Sequence, residues 1–193
     1  MARDELSGAG VVEVRIDAAI TVTYPPGPDA RTSTCPGLST VSWFATTFGV
    51  DAADDPLPPT AGAGAVLPGA GGVLFVPTAG GGTFFGLTYQ SGFAGCVRAV
   101  QEGLVHAAAA RLRDLAPTAD AVHVTGPGAG SDSWRDLLAA ATGLPVSWDD
   151  AAGTHTQVPD PVAARRHGEL ALLYQACRQA LLAADPDRKG APA

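Results

Sequence analysis

The sequence predicts one α/β domain built on a mixed sheet, and three observations carry that prediction. Short stretches rich in β-branched residues crowd the first 35 positions, with tight turns between them that suit antiparallel pairing. Beyond residue 70, strand-like and helix-like stretches alternate, the order expected of a sheet with parallel neighbours. The chain has 193 residues, enough for one domain to bury a core without disulfide or metal staples.

Taken in order, residues 1–10 read as a frayed leader, 11–184 as the domain and 185–193 as a loose tail. Residues 11–17 (VVEVRID) partly alternate apolar with polar, and 20–24 (ITVTY) follow after a reversal at Ala18 and Ala19. The stretch 25–29 (PPGPD) is a turn by composition. A third strand is expected over 31–35 and a helix over 40–48. Residues 51–72, crowded with Asp, Pro and Gly, predict a loop. A short buried strand is expected over 72–77 (GVLFVP), then a flexible break at Gly80, Gly81 and Gly82.

Val97, Val100, Leu104, Ala108 and Leu112 recur every three to four residues, which predicts a long helix over 92–115, with Pro117 at its exit. Residues 120–125 (DAVHVT) are strand-like and run into a glycine-rich turn, 126–130 (GPGAG). Ser131 is placed to cap a helix ending at Thr142, and Gly143 to stop it. A strand over 144–148 follows, and Asp160 with Pro161 opens a last helix running to Ala184.

Composition removes several functions. The formal charge of −7 argues against a surface that coats nucleic acid. No apolar run approaches the roughly 18 residues needed to span a bilayer, and the first ten residues hold no apolar signal core. Cys35, Cys96 and Cys177 are odd in number and far apart, so reduced thiols in the cytoplasm are expected rather than a disulfide framework or a cysteine zinc site.

The turn at 126–130 is the strongest chemical signal. Glycines let a backbone approach a ligand closely, and a helix N-terminus offers unpaired N–H groups to an anion. Gly126, Pro127, Gly128, Ala129 and Ser131 are therefore the candidate nucleotide-binding residues. The spacing is GxGxG rather than GxGxxG, so an ordinary tight strand–helix connection is the competing reading. Glu102 and His106, four apart on the long helix, share a face as an acid–base pair or half a metal site would, against a plain packing role. Asp149, Asp150 and His155 gather on an expected loop, as a metal or acid–base site or as a solvated acidic surface. His123 reads as a half-buried strand residue, His167 as part of a solvated helix face and Cys96 as a core thiol. Ser91 and Ser131 read as helix caps.

These stretches together resemble a known family. Gly86, Leu87 and Thr88 with 98–103 (RAVQEG) look like the "GLT … RAV-E-G" helix of FGGY-type carbohydrate kinases, xylulose kinases among them. Residues 125–135 (TGPGAGSDSWR) resemble their "TGGGA-S-xWRQ" turn, and 138–146 their "ILADVLGRPV" segment. Residues 43–49 are similar to "RWLRDTFG", 71–77 to "GLLFLP", and Pro159, Asp160 and Pro161 with Tyr174 to the closing helix. The resemblance is confined to the C-terminal lobe of those two-lobed kinases. It implies an actin-like, ribonuclease-H-like domain with antiparallel strands first and helices on both faces. It also implies ATP or ADP with Mg²⁺ as cofactor and a cleft shared with an N-terminal lobe, for which the 193 residues leave no room.

The sequence departs from the family pattern at the phosphate end. The loop that reads "LGTSG" in the family is matched by 16–20 (IDAAI), which puts Asp17 where phosphate would approach. The "AGERTP" loop is reduced to 79–83 (AGGGT), and Pro127 replaces a glycine and removes an N–H donor. The "ASALGAAILA" helix after Asp150 is missing. The expectation is a degenerate lobe, a pseudokinase that binds a nucleotide or small molecule without phosphorylating a sugar on its own. The alternatives are a repurposed non-kinase enzyme of specialised metabolism and a kinase lobe completed by a separate chain. Asp17, Glu102 and His155 are the catalytic candidates. A homodimer or hetero-complex is expected, buried around Tyr89, Phe84, Phe85 or the 16–20 turn, because a lobe face left bare is an apolar liability.

Overall fold

The first three strands of the computed structural model, which describes residues 10–48, 63–78 and 81–184, form an antiparallel meander: β1 (Val11–Ile16), β2 (Ala19–Tyr24) and β3 (Arg31–Pro36). Helix α1 (Leu38–Thr47) follows. Strands β4 (Leu74–Thr78) and β5 (Gly81–Phe85) make a separate hairpin, and α2 (Phe93–Leu115) is the long helix the apolar spacing predicts. Then come β6 (Ala121–Thr125), α3 (Asp132–Thr142), β7 (Val146–Asp150), β8 (Gly153–Gln157) and α4 (Pro161–Ala184). The main sheet has the order β3-β2-β1-β6-β7-β8; β1, β6 and β7 run parallel and the outer pairings are antiparallel. The expected leader 1–9, loop residues 51–62, Gly80 and the tail 185–193 lie outside the described residues.

The register sorts the strand residues onto two faces. Val12 pairs with Val122, Val14 with Val124, Val124 with Trp148, and Ile16 with Ile20, so one face is a continuous apolar surface. Helices α2 and α3 lie on it: α2 packs on β2 and β3, and Arg135 and Asp136 of α3 reach Trp148 and Gln157. The residues between, such as Glu13, Arg15, Thr21, Thr23, His123 and Thr125, form the other face, and none of the four described helices packs there. The mixed α/β class is as expected, but the helices occupy one face rather than both. After β7 the chain turns straight back as β8, where a crossover helix would have covered the second face. Parallel strands buried on both sides read as continuous apolar runs; the alternation here matches a sheet solvated on one side.

Helix α2 lies between the main sheet and an outer layer formed by the β4–β5 hairpin and α4. Residues on every side of it are therefore buried, including Arg98, Gln101, Glu102 and His106. Three local expectations need correction. Gly81 and Gly82 do not break the chain; they open β5 opposite Thr78 and Pro77, because the Phe75 ring occupies the space a side chain at Gly82 would need. Residues 154–157 are not a loop but strand β8, whose His155 stacks on its cross-strand partner Trp148. His167 is not solvated: it is 1% exposed, with Nδ1 3.4 Å from His106 Nε2.

Candidate functional site

In an open α/β sheet the crevice that takes a ligand lies at the carboxyl ends of the strands, where the chain switches from building one side to building the other. Here the chain lays down β2 and β3 on one side of β1, then β6 and β7 on the other. The switch point falls between β1 and β6, and their carboxyl ends carry two of the segments the sequence singles out: Asp17 and the glycine turn.

Asp17 begins the two-residue β1–β2 turn. Its carboxylate accepts the Ala18 N–H at 2.8 Å and pairs with Arg15 Nη2 at 2.9 Å. The Ala18 amide and then Arg15 hold its carboxyl below the ordinary carboxylate range. The turn's carbonyl groups are also engaged. The first amides of α1, Leu38 and Ser39, donate to the Asp17 and Ala18 carbonyl oxygens at 2.9 and 3.2 Å, and Ser39 Oγ donates to Ala18 O at 2.7 Å. Gly37 offers no side-chain cap, so the turn acts as the cap of α1. The N–H groups that a helix start would present to an anion are therefore spent inside the protein.

The glycine turn forms one 3-10 turn, Pro127–Gly130. Gly126 has φ +81°, and a Cβ there would stand 2.7 Å from Ile16 O. A Cβ on Gly128 would fall inside the Ile16 side chain. Both glycines thus serve the packing of the turn on the end of β1, whereas a Cβ on Gly130 would meet open space. Arg135, buried on α3, donates to Ala129 O and pairs with Asp132, and its guanidinium lies 4.0 Å over the Trp148 ring. Ser131 occupies the cap position of α3, but its hydroxyl makes no capping hydrogen bond. Ser91 likewise is no cap: Gly92 precedes α2, and Ser91 Oγ accepts the Thr88 N–H at 3.0 Å.

Beside the β1–β2 turn lies a pocket of about 410 Å³, walled by Trp43, Pro36 and Ala18 and edged by the hydroxyl-bearing Thr34, Ser39 and Thr40. That volume falls in the range of small-molecule sites, roughly 300–1,000 Å³. No charged residue lines it among the described residues. Arg15 and Trp43 were not picked out as site residues from the sequence. Their signals are weak: a strand position two before Asp17 on the same face, and an aromatic residue in the turn of helix that follows β3.

The remaining candidates fall elsewhere. Glu102 is 2% exposed and accepts Arg98 Nε at 2.8 Å and the Gly69 N–H at 3.1 Å. Burial pushes its carboxyl up, and the Arg98 hydrogen bond opposes that shift. It makes no hydrogen bond with His106, which faces His167 and stacks with Tyr174. Burial lowers the two histidines to about 3 and about 4 respectively, so both are neutral near neutral pH. These groups hold α2, α4 and the segment at Gly69 together. His155 pairs with Asp150 at 2.9 Å, and Asp149 accepts Thr154 Oγ1 at 2.6 Å, on an exposed hairpin. Among the described residues no three of His, Cys, Asp and Glu come together as metal ligands. His123 is part-buried with Nδ1 3.1 Å from Ser147 Oγ, as expected of a satisfied strand histidine. Cys96 is only partly buried.

Whether a nucleoside triphosphate with Mg²⁺ suits this edge differs between its two ends. The Gly130–Ser131 end is open, with nothing near a Cβ built at Gly130. The turn end does not suit a triphosphate: an exposed carboxylate stands there and the nearest amides are engaged.

The chain is similar to a xylulose kinase from Rhodospirillum rubrum, with a TM-score of 0.78 and 19% identity over 91% of this chain and 47% of that one. It is similar to a gluconate kinase from Lactobacillus acidophilus, with a TM-score of 0.76 and 18% identity over 94% of this chain and 49% of that one. A glycerol kinase from Plasmodium falciparum, solved with ADP, gives a TM-score of 0.61 and 12% identity over 88% of this chain and 39% of that one. The chain thus spans about half the length of the first two. No curated protein matches it in sequence. The fold is actin-like, of the ribonuclease-H type. Residues 50–155, more than half the chain, match the C-terminal domain of the FGGY family of carbohydrate kinases, and the chain belongs to that family.

Proposed function

We propose that this chain is a small-molecule-binding carbohydrate-kinase lobe that transfers no phosphoryl group by itself. The observation that carries the reading is the β1–β2 turn. Phosphoryl transfer works by positioning and by stabilising charge on the moving group. At the position the family uses to hold phosphate, this chain has the Asp17 carboxylate, and its α1 amides are bound to the turn's own carbonyls. The adjoining pocket is uncharged among its described residues and suits a flat or hydroxylated ligand against Trp43. Adenosine at the glycine turn is the nucleotide fragment that meets no such obstacle.

Calorimetry with adenosine, ADP and ATP·Mg²⁺ tests this. ATP is expected to bind no more than about threefold tighter than adenosine, since each tenfold would require about 1.4 kcal/mol of grip on the phosphates. No sugar phosphate is expected from the chain alone. A clear preference for ATP over adenosine, or turnover by the isolated chain, would defeat the proposal.

A second reading is a kinase lobe completed by another polypeptide, and the half-length match to xylulose and gluconate kinases favours it. The contact is proposed at the loop after β5, where Tyr89 is 97% and Leu87 52% exposed. Phe84, by contrast, is packed against Phe75 and Phe44. A strict monomer by light scattering at high concentration would remove the homodimer form of this reading.

A further inference from the structure

A second cavity, away from the carboxyl-edge pocket in all but its Cys35–Pro36 wall, lies between α2, α4 and the end of β3. Its volume is about 60 Å³, and it is lined by Arg111, Asp114, Tyr174 and Arg178, with Pro77 closing one side. That is room for a few waters or one small ion and far too little for a nucleotide.

Arg111, Arg113 and Arg178 are the three described arginines with no oxygen partner among the described residues, and two of them line this cavity. Arg15, Arg31, Arg98, Arg135, Arg165 and Arg166 each have an oxygen partner within the protein. Arg111 and Arg178 have neither a hydrogen bond nor an ion pair among the described residues, although the chain is acidic as a whole. Tyr174 is 2% exposed, and its hydroxyl has no hydrogen-bond partner among the described residues. Both guanidiniums act on this phenol, opposing the upward push of burial on its pKa. Among the described residues, the phenol is a buried donor without an acceptor, and the half-buried Arg111 and exposed Arg178 bring two guanidiniums to it with no carboxylate paired to them.

We propose that this cavity binds a small tetrahedral oxyanion that keeps a proton near neutral pH, of which inorganic phosphate is the example. Arginine presents a planar fork of N–H groups suited to two oxygens of such an ion, and two of them leave a net positive site even with Asp114 present. Asp114 sharpens the chemical class. A carboxylate repels a fully deprotonated anion but accepts a hydrogen bond from one that keeps a proton. Hydrogen phosphate keeps one near neutral pH; sulfate does not. The site is thus expected to prefer phosphate to sulfate.

Calorimetry on the full chain near pH 7, with sodium phosphate and sodium sulfate at matched ionic strength, is the test. Saturable binding of phosphate to one site is expected, with sulfate about fivefold weaker or more. Arg178→Gln, at an exposed position on α4, is expected to weaken phosphate about tenfold. Arg111→Gln should do the same, and Asp114→Asn should erase the preference for phosphate over sulfate. A sugar phosphate, which near pH 7 has mostly lost its last acidic proton, is expected to bind more weakly than inorganic phosphate; tighter binding of it would overturn the role given to Asp114. No saturation at tens of millimolar phosphate, or phosphate binding indifferent to Arg178→Gln, would overturn the proposal. Because Arg178 is exposed, that variant remains decisive even if Arg111→Gln fails to fold.

Discussion

The β1–β2 turn and the glycine turn stand side by side at the switch point of the sheet, and they spend their backbones differently. The first keeps its carbonyls for the start of α1 and presents a carboxylate to solvent. The second gives two glycines to close contact with Ile16 and keeps only Gly130 in open space. A glycine-rich strand–helix turn is therefore not a ligand site in proportion to its glycines. What matters is which of them the fold already needs. Here packing explains Gly126 and Gly128, and any ligand role at this turn falls to Gly130 and Ser131.

The comparison can be broken most directly at Gly128. Gly128→Ala would drive a methyl group into the Ile16 side chain, and denaturant unfolding is expected to show a loss of about 3 kcal/mol or more. A loss under about 1 kcal/mol would mean the turn can lift off β1. Gly126→Ala comes next, at about 2 kcal/mol, because φ +81° and the nearby Ile16 carbonyl both oppose a Cβ.

Acid offers a control for both. His106 and His167, lowered to about 3 and about 4 by burial, take up protons in the unfolded chain before they do in the folded one. The unfolded state thus binds more protons from about pH 6.5 down to about pH 4, so stability falls with falling pH, by up to about 1.4 kcal/mol per unit and group. The wild type and both glycine variants are expected to lose stability in parallel over that window, since neither turn holds a group that titrates there. A spread that changes with pH would tie the turns to the histidine pair.

Asp17→Asn sharpens the other side of the comparison. Removing the carboxylate should improve ATP relative to adenosine by roughly three- to fivefold at low salt and less at high salt. An unchanged ratio would mean the engaged amides alone exclude phosphate. The smallest effect is expected at Gly130, where Ala should alter stability by no more than about 0.5 kcal/mol. A measurable loss of adenosine affinity in that variant, with stability intact, would identify the turn's open corner as a contact.

Much of the chain order was legible. The partial alternation of 11–16, the β-branched run at 20–24, the three-to-four spacing along α2, and Gly143 as the stop of α3 all read directly from local rules. The site was legible only in outline. Asp17 and the glycine turn were singled out as candidates, but their closeness depends on parallel pairing of strands more than 100 positions apart. Strand β8 was missed because Thr154, His155 and Thr156 carry no apolar face; pairing with β7 and stacking on Trp148 create the strand. His167 was misplaced because its partner, His106, lies 61 residues away on another helix.

The amino-acid order alone determined the mixed α/β class and the long central helix, because those follow from periodicity and residue type within short windows. Only the tertiary structure decided that the helices cover one face, that Gly126 and Gly128 belong to Ile16, and that Arg111 and Arg178 meet at one cavity without acceptors among the described residues. Each of these is a relation between residues distant in the chain, and local pattern has no access to which distant groups will be brought together or left without partners.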